Sequence, residues 1–346
     1  MNLVIYMSYI CNLRCPYCYI RNSGTSVVLS RKSALYAVNR FLELYGRDAK
    51  ITFLGGEPLL HKKLLVSIVQ HVRRKSSCPI HIFTNGMKLT KDFAAFAQDK
   101  RIKIVLSLNQ FNFFEVKEIR KIFRESARRG ATASFVATRE KIGEVSRLVK
   151  EIYNFGFRHI MWTPDITEIW PDADIRIIQR EMMKIRKWYF EIIRGGGKVY
   201  EMGNVYELIF ECLDKDYNPR YCPNIILLPS GHFIPCDKAV SADKTGMKKF
   251  LSLRIDAEKR HSFFSVARRY GAGVRSLLCS AGAFAYFHYC MKLSGERLRS
   301  AIASHKKLAK VMRKEYMSLI KSAITCRAFC EVHNIELRKN RGLTCQ

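Results

Sequence analysis

Three cysteines stand within eight residues, spaced Cys-x3-Cys-x2-Cys in Cys11-Asn12-Leu13-Arg14-Cys15-Pro16-Tyr17-Cys18. Thiolates this close can wrap one metal centre, and soft sulfur ligands select zinc or iron–sulfur. A structural zinc site wants four ligands. No obvious fourth stands beside these, which suits a cubane cluster with one iron left open. A zinc knuckle that borrows a distant cysteine or histidine is the alternative. A second group follows far along the chain. Cys222 and Cys236 flank Ile225-Ile226-Leu227-Leu228-Pro229-Ser230-Gly231-His232-Phe233-Ile234, which reads as strand, two-residue turn, strand. A hairpin brings its ends together, so these two are candidates for one shared metal. Cys279 and Cys290 are the preferred further ligands, with Cys326 and Cys330, four apart on one helical face, as rivals. A zinc site or buried thiols is the alternative here, and Cys78, Cys212 and Cys345 read as structural.

The elements that must carry the first triplet alternate. Leu3 to Met7 is a β-rich run that leads directly into it. Apolar spacing of 3.6 predicts a helix from Ser30, its N-cap, to Tyr45, stopped by Gly46. Ile51 to Leu54 is a second strand, ended by Gly55-Gly56-Glu57, and Leu64 to Val72 the next helix. Ile80 to Phe83 is a third strand, ended by Thr84-Asn85-Gly86, with a helix from Lys91 to Gln98. Ile102 to Leu108 is a fourth, with Ser107-Leu108-Asn109 at its end. Two further strand–helix units end in a strand at Arg158 to Trp162 and a long helix from Asp172 to Arg194. Such alternation predicts an α/β fold with a parallel sheet and crossover helices. Ligand sites in these folds lie at the C-terminal ends of strands. The cysteines, Gly55-Gly56-Glu57, Thr84-Asn85 and Ser107-Asn109 therefore meet on one rim.

With those residues in place the chain resembles the radical S-adenosylmethionine enzymes over residues 1–165. Cys11, Cys15 and Cys18 with Tyr17 match that family's signature, and Gly55-Gly56-Glu57-Pro58 its glycine-rich motif. Asn109 departs from the Ser-Leu-Asp often found after the fourth strand. The resemblance implies a partial (β/α)6 TIM-type barrel over residues 1–195 and a smaller cysteine-rich α+β region over 196–346. It implies a 4Fe-4S cluster on the three cysteines and S-adenosylmethionine chelated at the open iron. Gly55 and Gly56 would let backbone approach the methionine amino group, Tyr17 pack on the adenine, and Glu57 brace the loop or touch the ligand. Thr84, Asn85, Ser107 and Asn109 would complete the cofactor side. Electron transfer into the sulfonium then gives methionine and a 5′-deoxyadenosyl radical, with a reductant such as ferredoxin or flavodoxin as partner. The Cys222–Cys236 hairpin resembles the auxiliary-cluster region of SPASM and twitch subfamilies. The denser second SPASM motif is missing, so one auxiliary iron–sulfur cluster is expected.

Charge bears on the substrate. Sixty Lys and Arg against thirty Asp and Glu give +30, a field that attracts nucleic acid, anionic cofactors or a membrane surface. From Asp237 onward, 23 basic residues face eight acidic ones, and Arg297 to Lys321 reads as a basic amphipathic helix with Leu298, Ile302, Leu308, Val311 and Met317 apolar. It is either a phosphate-tracking surface or a solvated helix packed on the auxiliary region. Ser276 to Leu293 is the longest apolar stretch and reads as a buried helix, so neither membrane insertion nor a signal peptide is expected, and the location is cytoplasmic. A peptide or protein substrate is the first reading and RNA or a nucleotide the second. A non-catalytic, metal-stabilised nucleic-acid-binding protein is the remote alternative.

Overall fold

The computed structural model describes residues 1–20, 26–108, 117–203, 208–209, 224–234 and 295–333. Strands β1 (Asn2–Tyr6), β2 (Lys50–Leu54), β3 (Ile80–Thr84), β4 (Ile102–Ser107), β5 (Thr132–Ala137) and β6 (His159–Pro164) are linked by α1 (Arg31–Tyr45), α2 (Lys62–Lys75), α3 (Lys91–Asp99), α4 (Lys117–Arg128) and α5 (Val145–Phe155). Then come α6 (Asp172–Arg194), β7 (Glu201–Met202), β8 (Asn224–Leu227), β9 (Phe233–Ile234), α7 (Gly295–Ala323) and α8 (Arg327–Val332). The local signals act as expected. Ser30 caps α1 by accepting from Ser33 N–H at 3.0 Å, and Thr90 caps α3 by accepting from Phe93 N–H at 3.3 Å.

All strands from β1 to β7 pair in parallel with their sequence neighbours, and the sheet is not closed. Successive strand residues face opposite sides. Leu3 and Ile5, Ile51 and Phe53, Ile80 and Ile82, and Ile102 and Ile104 all join one apolar core with the buried faces of the surrounding helices. The alternate residues form the inner face of a partial barrel.

The described strands after residue 195 belong to this same sheet. β7 pairs with β6, and β8 lies parallel to β1 with Leu3 opposite Ile225 and Ile5 opposite Leu227. The expected hairpin forms, but it extends the barrel sheet rather than standing exposed: Ile226, Leu227 and Leu228 are fully buried. Its turn is also longer than two residues. Leu228 N–H donates to His232 C=O at 2.8 Å and Gly231 N–H to Leu228 C=O at 2.9 Å. Gly231 takes φ of 84°, the left-handed residue that completes a three-residue hairpin loop.

The basic helix α7 packs on α6. Ile302 and Leu308 are buried, Arg186 of α6 pairs with Glu315 at 3.2 Å, and Ser304 Oγ donates to Trp170 C=O at 2.7 Å. Cys330 is buried with its Sγ against Ile324 C=O at 3.1 Å, while Cys326 stands at the N-cap of α8. Among the described residues no helix is long and apolar enough to cross a membrane. Ser276–Leu293, Cys212 and Cys345 lie outside the described residues.

Candidate metal and cofactor centre

The cysteine loop is pinned at both stems. Ser8 forms an antiparallel bridge with Val28, and Leu29 N–H donates to Met7 C=O at 2.9 Å. On the other side the loop is laced to the glycine turn. Gly56 N–H donates to Ser8 C=O and Glu57 N–H to Ile10 C=O, each at 2.8 Å. The approach is so close that a Cβ on Gly56 would lie 1.9 Å from Ile10 O, and one on Gly55 2.5 Å from Ser8 O. The close backbone at these glycines is the stem of the cysteine loop itself.

Glu57 ties the second strand end to the third. It is buried, and its carboxylate accepts from Thr84 Oγ1 at 2.7 Å, Asn85 N–H at 2.8 Å and Leu59 N–H at 2.9 Å. Burial pushes its pKa up, against the pull of these three donors. Of the two roles open to Glu57, bracing is the one its contacts describe. Asn85 carries the brace to the cysteines: its Nδ2 lies 3.0 Å from Asn12 Oδ1 and 3.7 Å from Cys11 Sγ. Leu13 N–H also points at Cys11 Sγ, at 3.4 Å.

Burial raises the Cys11 pKa, Leu13 N–H opposes this, and the nearby Glu57, Cys18 and Cys15 raise it further. Like-charged thiolates crowd one another here, and bound cations relieve that repulsion. Among the described residues no three His, Cys, Asp or Glu side chains converge on a single ion. Cluster ligation, with each thiolate on a different iron, does not require such convergence. Two N–H donors aimed at one loop sulfur suit a thiolate ligand.

Tyr17 is half-buried, and burial first, then Cys15, Cys18 and Asp165, push its hydroxyl pKa far up. The phenol hydrogen-bonds Cys15. Ser107 ends β4 on the inner face, in register with Ser134. Thus Cys11, Asn85, Thr84 and Glu57 form one connected set, and Tyr17 hydrogen-bonds Cys15. Asn109, Cys222, Cys236, Cys279 and Cys290 lie outside the described residues.

Three contributors escaped the sequence reading. Ser8 is buried, and its Oγ accepts from Ile10 N–H at 3.2 Å and bonds His61 Nε2 at 2.8 Å. No motif marks either Ser8 or His61. Asp165, just past β6, is 4% exposed, accepts from Thr167 N–H at 2.8 Å and Oγ1 at 2.7 Å, and has its pKa raised by burial. The signal that flagged the first four strand ends, a polar residue directly after an apolar run, was present there too.

Comparison with known proteins agrees with this arrangement. Residues 5–136 match the model of the Radical SAM superfamily. These residues form a radical SAM domain. An uncharacterized protein of Methanocaldococcus jannaschii is 32% identical over 111 residues, 31% of this chain and 38% of that protein. The GTP 3′,8-cyclase of Pasteurella multocida is 27% identical over 164 residues, 45% of this chain and 48% of the relative. The chain thus spans less than half the length of these curated relatives. Among solved structures, anSMEcpe with bound AdoMet has a TM-score of 0.65 at 15% identity, covering 93% of this chain and 99% of that one. SuiB of Streptococcus suis bound to its precursor peptide has a TM-score of 0.52 at 18% identity, covering 70% and 60%. At such identities the likeness is one of fold, and it extends beyond the radical SAM domain into the C-terminal region.

Proposed function

We propose that the protein is a radical SAM enzyme in which Cys11, Cys15 and Cys18 hold a 4Fe-4S cluster and the surrounding rim binds S-adenosylmethionine. The carrying observation is the connected set Cys11–Asn85–Glu57–Thr84, which fixes the cysteine loop to the ends of β2 and β3. When bound, the reduced cluster supplies the electron for reductive cleavage of S-adenosylmethionine, and so a route to hydrogen abstraction from a substrate. The chain's own residues position and shield. Asn85 and Leu13 direct N–H groups to Cys11, Tyr17 hydrogen-bonds Cys15, and Gly55 and Gly56 hold the loop stem. Ser107 and Asn109 would face the ribose side of the ligand.

Cys222, Cys236, Cys279 and Cys290 are proposed to hold one auxiliary iron–sulfur centre. The antiparallel pairing of Ile226 with Ile234 supports this, because residues 224 and 234 then lie at the same end of the hairpin. The substrate reading is a peptide or protein side chain, supported by the full-length likeness to anSMEcpe, also solved with a bound peptide. A nucleotide is the second reading, favoured by the relatives named GTP 3′,8-cyclase. The enzyme would work in the cytoplasm with ferredoxin or flavodoxin as reductant.

The test is anaerobic reconstitution followed by 5′-deoxyadenosine assay under dithionite. Replacing Cys11, Cys15 and Cys18 together with Ala should abolish the product while part of the iron remains on the auxiliary centre. Undiminished product from that variant overturns the assignment. Wild-type iron that never exceeds the content of one cluster, with no zinc, removes the auxiliary centre.

A further inference from the structure

The inner face of the barrel carries a second chemical group at the opposite ends of the strands. In register along the floor stand His81 beside Lys103, and His159 beside Glu201, with Lys50 at the start of β2. Glu201 is paired with His159 and lies 3.9 Å from Lys103 Nζ. Among the described residues it is the one carboxylate in this group, which holds the ammonium groups of Lys50 and Lys103 and the imidazoles of His81, His159 and, from the end of α8, His333. Burial lowers the Lys50 pKa, and Lys103 lowers it further. Burial, then Lys50 and Lys103, push His81 down to about 3, with Glu201 opposing weakly. Among the described residues neither Lys50 Nζ nor the His81 ring has a hydrogen-bond or ion-pair partner. Half-buried cations facing one another with a single shared counter-charge weaken the fold, because burial disfavours charge and like charges repel. Folding alone does not call for this arrangement, whereas an anion would relieve it.

We propose that this floor binds the phosphoryl group of a phosphorylated small molecule. Lysine ammoniums act as point charges suited to a phosphate, whereas planar carboxylates are matched best by the arginine fork. The cations here are Lys50 and Lys103, and the nearby Arg158 turns its Nη1 away to Tyr153 C=O at 2.8 Å and Phe157 C=O at 2.9 Å. The neighbouring wall is neutral and fixed: Asn2 Nδ2 donates to Asn224 Oδ1 and Thr52 Oγ1 to Asn2 Oδ1, both at 2.9 Å. Gly55 stands five positions beyond Lys50, so the floor lies roughly 17 Å below the rim at about 3.3 Å per residue. The site stands whether or not the rim performs radical chemistry.

Calorimetry on the reconstituted full chain, with pyrophosphate and then GTP as probes, tests it. Both should bind at one site, with affinity at least tenfold weaker in Lys50→Met and in Lys103→Met. The ligand-free variants should melt at or above the wild-type temperature, since repulsion has been removed. Lys310→Met, an exposed lysine on α7, matches the change in net charge and should bind as wild type. Three outcomes overturn the proposal: neither probe binds, all three variants weaken binding equally, or the floor variants melt lower with affinity unchanged. Binding of tetraglutamate in place of pyrophosphate would assign the floor to an acidic peptide and also overturn it.

Discussion

Gly56→Ala adds one methyl group where the chain has no room. The new Cβ would stand 1.9 Å from Ile10 O, 2.3 Å from Ile10 C and 2.8 Å from Tyr9 C. All three are backbone atoms of the stem leading into Cys11, so no side-chain rotation relieves the clash. The stem must retreat by more than an ångström, and the bonds Gly56 N–H to Ser8 C=O and Glu57 N–H to Ile10 C=O go with it. Overpacking costs about 1–3 kcal/mol, and two backbone hydrogen bonds contribute about 0.5–1.5 kcal/mol each. Together that is about 2–6 kcal/mol against a typical stability of about 5–15 kcal/mol. The protein has two ways to respond: keep the loop in place at that cost, or let the loop swing away and lose the cluster.

Two measurements cover both responses: urea unfolding, and iron per chain after anaerobic reconstitution. Gly130→Ala is the control. Gly130 has φ of 80° and open space around its Cβ position, so it carries only the left-handed backbone penalty of about 1–2 kcal/mol and should retain iron. Gly56→Ala should lose at least about 2 kcal/mol of stability or a large share of its iron. Full iron with stability within about 1 kcal/mol of wild type refutes the packing argument. Full iron with S-adenosylmethionine affinity alone reduced would show that the methyl group meets the ligand and not Ile10.

Two further substitutions probe the same wiring. Glu57→Gln replaces an acceptor of three hydrogen bonds and should cost about 1–3 kcal/mol, the range for leaving a buried donor unsatisfied. The Glu57 pKa is raised in the folded state, so its proton is held more tightly there than in the unfolded chain. Its contribution to stability is therefore full at low pH and declines as pH climbs from the ordinary glutamate range through the raised value. The gap in unfolding free energy between wild type and Glu57→Gln should narrow over that window, and a gap that widens counts against the shift. Asn85→Ala removes the amide facing Cys11 Sγ. Because hydrogen bonds to cluster sulfurs favour the reduced, more negative state, the midpoint potential in a redox titration should fall with iron content unchanged. An unmoved potential means the amide does not act on the cluster.

The parts of this structure legible in the sequence are those whose signal is local. α6 runs from Asp172 to Arg194 as its spacing indicates, because an amphipathic stripe between Pro171 and Gly195 has one reading. The strand ends were legible because an apolar run stops at a polar residue. The pairing of β8 with β1 was not, because Leu3 and Ile225 share no local pattern and parallel pairing leaves none. The floor group was visible as alternation, Lys50-Ile51-Thr52-Phe53 and Ile80-His81-Ile82-Phe83. Alternation says only that two faces differ, and neighbouring strands must be aligned before the cations are seen to meet. Glu57 was legible as a motif residue but not as a brace, since its partners Thr84 and Asn85 come from the next strand.

The position of the cysteine loop follows from the ladder that builds the sheet. Tyr6 lies opposite Leu54, an offset of 48 (54 − 6), and Gly56 N–H bonds Ser8 C=O at the same offset (56 − 8). The loop stem therefore prolongs the β1–β2 pairing beyond the strands themselves. Two backbones in register continue to approach each other, while the chain on the β2 side must already turn toward Pro58 and α2. At that junction a side chain on residue 56 would point into the partner backbone, and glycine is the residue that lets the ladder run on. The register that buries Ile5 against Phe53 is then the same one that sets Cys11 beneath Asn85. A one-residue slip would send the apolar faces into the barrel and the cysteines away from the rim. Fold stability and placement of the thiols are coupled through a single set of backbone hydrogen bonds.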